Sequence, residues 1–292
     1  MVNTHILSQE FEYFEPKTIE EAVLLLATHG EKAKVIAGGT DLLVQMKMER
    51  FHPKYLTSIA KIPALHYIIE ENGLRIGTLT SFREVERSPA IKNKYLALAE
   101  AARSVSSVQI KNMGTLGGNL CHGSPAADSA PPMIAFGAKV KLVGANHERM
   151  IPLEDFFLGP GKTVLTPGEL LVELQVPELS AQTGSAFLKM TRVSADLAKV
   201  NVAVVIRREN NFCKECRIVL GAVAKTPLRA KKAEEILKGE KFGAHIVKQV
   251  SHMASEEIQP ITDIRSNAWY RKEVSRIVVR DAINLAWTRA GG

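Results

Sequence analysis

The chain has 292 residues, 46% hydrophobic and 24% charged, with 38 Lys and Arg against 31 Asp and Glu for a formal net charge of +7. These values exclude a largely disordered chain, and no apolar run, Ala22–Ala27 included, approaches the ~20 residues that span a bilayer. Three cysteines cannot build a disulfide scaffold, and the stretch from Met1 to Pro16 lacks a basic region followed by an apolar one, so the expected location is cytoplasmic.

Thr18 predicts an N-cap, with Glu21 completing a capping box, for a helix over 19–29. Ile19, Ala22, Val23 and Leu26 share its apolar face, and Gly30 stops it. A short strand over 33–37 runs into Gly38-Gly39. Asn72-Gly73, between Ile68-Ile69 and Leu74-Arg75-Ile76, predicts a β-hairpin. A helix is expected over 90–105, then a glycine-rich loop from Gly114 to Gly118, then strands over 138–143 and 170–176. The small, polar stretch 177–187 marks a domain boundary. Beyond it come strands over 200–207 and 216–223, joined by a turn at Glu209-Asn210-Asn211, and helices over 228–237, 243–257 and 270–290. The basic cluster Arg229, Lys231 and Lys232 is followed at once by Glu234 and Glu235, which reads as a solvated helix face rather than a nucleic-acid surface.

Two motifs pair adjacent glycines with a nearby hydroxyl: Val35-Ile36-Ala37-Gly38-Gly39-Thr40-Asp41-Leu42 and Thr115-Leu116-Gly117-Gly118-Asn119. Glycine reaches positive φ at little cost, so backbone N–H groups can converge into a nest that holds phosphate oxygens, and Thr40 and Thr115 add hydroxyl donors. Two facing nests would suit a dinucleotide pyrophosphate; the alternative is a pair of ordinary tight turns. No Gly-x-Gly-x-x-Gly opens a helix. Gly159-Pro160-Gly161-Lys162-Thr163 imitates the end of a P-loop, but Phe156 occupies the position where that motif needs glycine. Cys213-Lys214-Glu215-Cys216 is a lone Cys-x-x-Cys with too few partners for a zinc or iron–sulfur site, and reads as two thiols on a hairpin. His122, beside the second motif, suits a site-lining role or packing equally. With no nucleophile elbow and no metal motif, the chemistry should belong to a bound cofactor.

The segments Ala37–Leu42 and Asn112–Leu120 together resemble the FAD-binding medium subunit of the molybdenum hydroxylases, the family of xanthine dehydrogenase, carbon monoxide dehydrogenase and aldehyde oxidoreductases. Ser124–Ser129, Phe187–Arg192, Asp196–Val200 and Tyr270-Arg271 extend the resemblance over essentially the whole chain. It implies an α+β protein. A two-part FAD-binding domain of the vanillyl-alcohol-oxidase (PCMH) type would span 1–178, with subdomains of about 1–57 and 58–178. A small α+β C-terminal domain, a three-stranded sheet plus helices, would span 179–292. It further implies that Val35–Leu42 and Thr115–Asn119 bind the FAD pyrophosphate, and that Asp128 holds a polar part of the cofactor. Val105 and Lys189 would lie near the flavin and Leu171 on the adenosine side. By the same resemblance, Leu197 would fall beside the flavin ring, where carbon monoxide dehydrogenase carries tyrosine and the xanthine dehydrogenase branch an aliphatic residue. By the same resemblance, a small 2Fe–2S subunit and a large molybdopterin subunit would be partners, in a dimer of heterotrimers. Electrons would pass through the 2Fe–2S clusters to FAD and on to an acceptor such as NAD. The cysteine count speaks against the branch with a 4Fe–4S insertion. Two other readings stay open: a free-standing FAD-dependent reductase of the same fold, and a non-catalytic module for an anionic ligand.

Overall fold

A computed structural model of the chain describes Leu7 and residues 9–291. Residues 1–6, which belong to the stretch read for a leader, lie outside the described residues, as do Ser8 and Gly292.

The first layer is a parallel sheet. Strands β1 (Glu12–Phe14) and β2 (Ala33–Ile36) flank β3 (Tyr55–Ser58), with helix α1 (Ile19–His29) and the short α2 (Leu42–Lys47) in the connections. Thr18 Oγ1 accepts the Glu21 N–H at 3.1 Å, as its type predicts. The reciprocal half of the box differs: the Glu21 carboxylate accepts from Lys17 N–H, one residue before the cap. Ala22, Val23 and Leu26 pack with Ile59, Ile62, Leu65, Leu170 and Val172.

The second layer is antiparallel, in the order β4 (Ile68–Glu70), β5 (Gly73–Gly77), β10 (Leu170–Pro177), β6 (Lys139–Gly144), β7 (His147–Pro152). Its connections hold α3 (Phe82–Arg87), α4 (Pro89–Lys94), α5 (Leu96–Ser104), α6 (Val108–Met113), α7 (Leu116–Cys121), α8 (Ala130–Ala135) and a small ribbon, β8 (Phe157–Gly159) with β9 (Lys162–Thr163). The helix expected over 90–105 is thus two helices. Tyr95 leaves helical geometry between them, its ring buried edge-on against Phe136 and its hydroxyl donating to Pro177 O. The P-loop imitation is the turn of the small ribbon, docked by Gly161 N–H on Gly123 O.

The third layer has three long strands, β11 (Thr183–Met190), β12 (Val200–Glu209) and β13 (Phe212–Gly221), plus a two-residue edge strand, β14 (Leu228–Arg229). Helices α9 (Lys231–Leu237), α10 (Ala244–Glu257) and α11 (Ala268–Ala290) cover one face. Phe187, Ala203 and Val219 on the other face join the core built by α5 and α8. Burial on both faces explains the continuous apolar run Val202–Ile206 of the central strand β12. The start of the helix expected over 228–237 is β14 instead, since Ala230 N–H still pairs with Ile218 O. Glu234 is no solvated residue: it is 5% exposed, accepts both the Arg229 guanidinium and Ile218 N–H, and pins the helix to the sheet. A bulge opposite Arg207-Arg208 turns Cys213 and Cys216 to the same buried face, where they pack as core.

Candidate functional site

The first glycine motif carries β2 into α2. Gly39 takes φ +70°, which glycine permits without Cβ strain, and the chain re-enters a helix at Leu42. Among the described residues, the N–H groups of Gly38, Gly39, Thr40, Asp41 and Leu42 find no protein acceptor. Successive uncommitted backbone donors of this kind can form an anion-binding concavity.

The second motif is built differently from expectation. It is the first turn of α7, not a loop, and it follows helix α6 rather than a strand. Thr115 is the N-cap, its Oγ1 accepting Gly118 N–H at 3.1 Å. Leu116 and Gly117 donate to Thr80 O and Thr78 O, and Asn119 to Thr115 O. The backbone donors of Leu116–Asn119 are therefore committed within the protein, and the expectation of two facing nests is corrected to one. Gly117 and Gly118 are helical, without positive φ. Gly117 is glycine because a Cβ there would sit 1.6 Å from Thr78 Oγ1.

The two motifs touch. A Cβ on Gly38 would lie 1.8 Å from Met113 O, and one on Gly114 would lie 3.5 Å from Thr40 Oγ1. Gln45 Nε2 on α2 and His122 Nδ1 at the end of α7 are 3.2 Å apart, so His122 ties the two motifs together. The first motif thus packs at the junction of α6 and α7, with Gly118 exposed one turn further on.

From α7 a chain of polar contacts leads to the other expected residues. Asn119 Oδ1 accepts from Ser129 Oγ at 2.7 Å. The neighbouring Asp128 is buried, its Oδ2 2.6 Å from Lys189 Nζ and its Oδ1 accepting from Asn201 Nδ2 at 2.8 Å. Burial pushes the Asp128 carboxyl up, and the Lys189 ammonium and the Asn201 amide pull it back. Lys189 Nζ also donates to Ser104 O at 3.1 Å, beside the half-buried Val105. Asp128 and Lys189 therefore bind each other across the two domains.

Two expected residues stand apart. The Leu171 side chain is 1% exposed inside the core, so only its backbone is open to a contact role. Leu197 is 60% exposed on the loop between β11 and β12. Its neighbour Ala198 is fully buried against Ala126 and Ala222, which anchors that loop beside the Asp128 segment. Sequence reasoning missed Ser104, Ser129 and Asn201. Of these, Asn201 left a signal, as the one amide in the apolar run of β12.

Residues 9–179 match the family model described as FAD binding domain in molybdopterin dehydrogenase, and residues 185–286 the CO dehydrogenase flavoprotein C-terminal domain. The carbon monoxide dehydrogenase medium chain of Hydrogenophaga pseudoflava is 36% identical, covering 97% of this chain and 99% of its own length. The xanthine dehydrogenase FAD-binding subunit of Escherichia coli O157:H7 is 30% identical over 96% of this chain and 97% of its own. Among solved structures, a carbon monoxide dehydrogenase from Hydrogenophaga pseudoflava superposes with a TM-score of 0.95 at 38% identity, covering 97% of this chain and 99% of the other. Quinoline 2-oxidoreductase from Pseudomonas putida 86 gives 0.91 at 26% identity, covering 96% and 98%. The open donors, the two touching glycine motifs and these matches over both domains converge: the chain belongs to the family of FAD-binding medium subunits of the molybdenum hydroxylases.

Proposed function

We propose that the chain is the electron-transfer station of a heteromeric molybdenum hydroxylase, taking electrons from the 2Fe–2S clusters of a small subunit and passing them to an external acceptor. The observation that carries this reading is the row of uncommitted N–H groups from Gly38 to Leu42, packed against Met113 and Gly114 just before α7. That cradle fits the diphosphate of FAD, which needs several convergent donors and close backbone approach. Val35, Ile36 and Ala37 lead into it from β2. Thr115, Leu116, Gly117, Gly118 and Asn119 form its opposite wall. Asp128, Val105 and Lys189 border the flavin end, and the Leu171 backbone the adenosine end. Bound FAD would supply the redox chemistry that links a one-electron donor to a two-electron acceptor. The protein's part is to bind and orient the cofactor and to exclude water from one side.

The domains in this proposal are 1–178, divided near 57/58, and 179–292. The partners are a small 2Fe–2S subunit and a large molybdopterin subunit, in a dimer of heterotrimers. NAD is the proposed acceptor. Leu197 offers a small, displaceable side chain on an exposed loop, whereas an aromatic ring there would cover more area and yield less readily. Purification from native cells tests the whole reading: the chain should carry FAD and co-purify with molybdenum and iron. A chain that is yellow yet never accompanies either metal is a free-standing reductase, and the proposal is then wrong.

A further inference from the structure

We propose that Asn201 is a positioning residue of the flavin site, acting through Asp128 and Lys189 on the backbone at Ser104–Ser106; this rests on the flavin reading above. Lys189 and Asn201 are direct register partners on β11 and β12, so both side chains leave the same face of the sheet. Each takes one oxygen of Asp128, at 2.6 and 2.8 Å, which leaves the carboxylate little freedom to turn. Lys189, held in this way, donates its other bond to Ser104 O. Two residues on, Ser106 has φ +31°, a conformation that side-chain-bearing residues rarely adopt and that the surroundings must hold in place. The C-terminal domain thus fixes the backbone of Val105, expected beside the flavin.

Stability alone does not account for Asn201. Its Oδ1 is buried and has no partner among the described residues, which is unfavourable within an apolar strand. Room for that oxygen exists because residue 221, its register partner on β13, is glycine. A Cβ on Gly221 would lie 2.1 Å from Oδ1. A buried amide with an orphaned acceptor and a dedicated space is the kind of local cost that proteins retain at functional sites.

The test uses the full chain and FAD itself, with two variants that disturb the amide from opposite sides. Asn201→Leu removes the donor at similar volume, and Gly221→Ala pushes the intact amide off Asp128. Both should weaken FAD binding about tenfold and alter the visible circular dichroism of the bound flavin, while the apoprotein melts within a few degrees of wild type. On the unaltered chain, FAD should slow amide exchange over 104–107. If wild type and the folded variants bind FAD with equal affinity and equal circular dichroism, the positioning role is wrong and the flavin reading stands. Bound FAD that leaves exchange over 104–107 unchanged also overturns it. A wild-type chain that does not bind FAD at all defeats the flavin reading first.

Discussion

Gly38→Ala perturbs the cradle through geometry alone. The new Cβ would lie 1.8 Å from Met113 O and 2.6 Å from Met113 C, whereas real Cβ contacts begin near 3.0 Å. The two motifs must therefore part by about 1.2 Å, and the obstacle is backbone, which cannot swing aside as a long side chain does. Overpacking of this kind costs about 1–3 kcal/mol, and for a chain of this size each kcal/mol lowers the melting temperature by roughly 2–4 °C. The same displacement spoils the donor row, so FAD affinity should drop at least about tenfold, the effect of ~1.4 kcal/mol. Gly159→Ala is the control, since nothing lies within 4 Å of its Cβ position and its φ is ordinary. Gly39→Ala is intermediate: it meets only the side-chain ends of Leu43 and Ile36 but must hold φ +70°, a strain of roughly 1–2 kcal/mol. Fluorescence titration of FAD and thermal melts of the three apoproteins give the ranking. If Gly38→Ala binds FAD and melts like Gly159→Ala, the two motifs do not touch as described.

Acid should destabilise the chain through Glu169. Burial alone would raise that carboxyl, but the Arg149 guanidinium, the Thr166 N–H and hydroxyl and the His147 ring outweigh it and hold it at about 2. Stability from this depressed group is complete above its ordinary value of 4.5 and is lost as pH falls toward 2, at most about 3 kcal/mol before solvent screening at the one-third-exposed Arg149. Glu169→Gln should therefore flatten the melting temperature over that pH range, and an unchanged slope would discount the cluster. Stopped-flow mixing of the reduced chain with NAD should reoxidise wild type faster than Leu197→Tyr; equal rates would free Leu197 of any part in acceptor choice. The isolated flavin-loaded chain should slowly reduce dyes with NADH, yet oxidise no purine, aldehyde or carbon monoxide. Substrate turnover by the pure chain alone would place a second catalytic centre within it.

Local signals were legible where one short segment carries its own geometry. Thr18 and Gly30 bound α1, and Asn72-Gly73 closes its hairpin. The glycine pairs pointed to the right surface, but sequence could not tell a nest from a helix N-terminus. That difference rests on where Thr78 and Thr80 place their carbonyl oxygens. Gly38 and Gly117 looked like accommodation for a ligand, and they also accommodate the protein itself, a distinction only packing reveals. Asp128 and Lys189 were each singled out, yet their pairing depends on a strand register and on the joining of two domains. The break at Tyr95 was invisible because Ala, Leu and Lys on either side favour helix, and the buried aromatic contact overrides them.

The lashing of the last helix to the first domain bears on how the molecule comes into being. Arg289 pairs with Glu100, 189 positions earlier, and Glu100 in turn accepts the N–H of Phe187 on β11. Even α1 closes on Leu170 and Val172, which emerge long after it. Contacts so distant along the chain make folding slow and leave apolar faces bare during synthesis. Residues 1–178 by themselves lack Lys189, Asn201 and the Arg289 latch, so the buried Asp128 carboxylate and Glu100 gain their partners only when the second domain is in place.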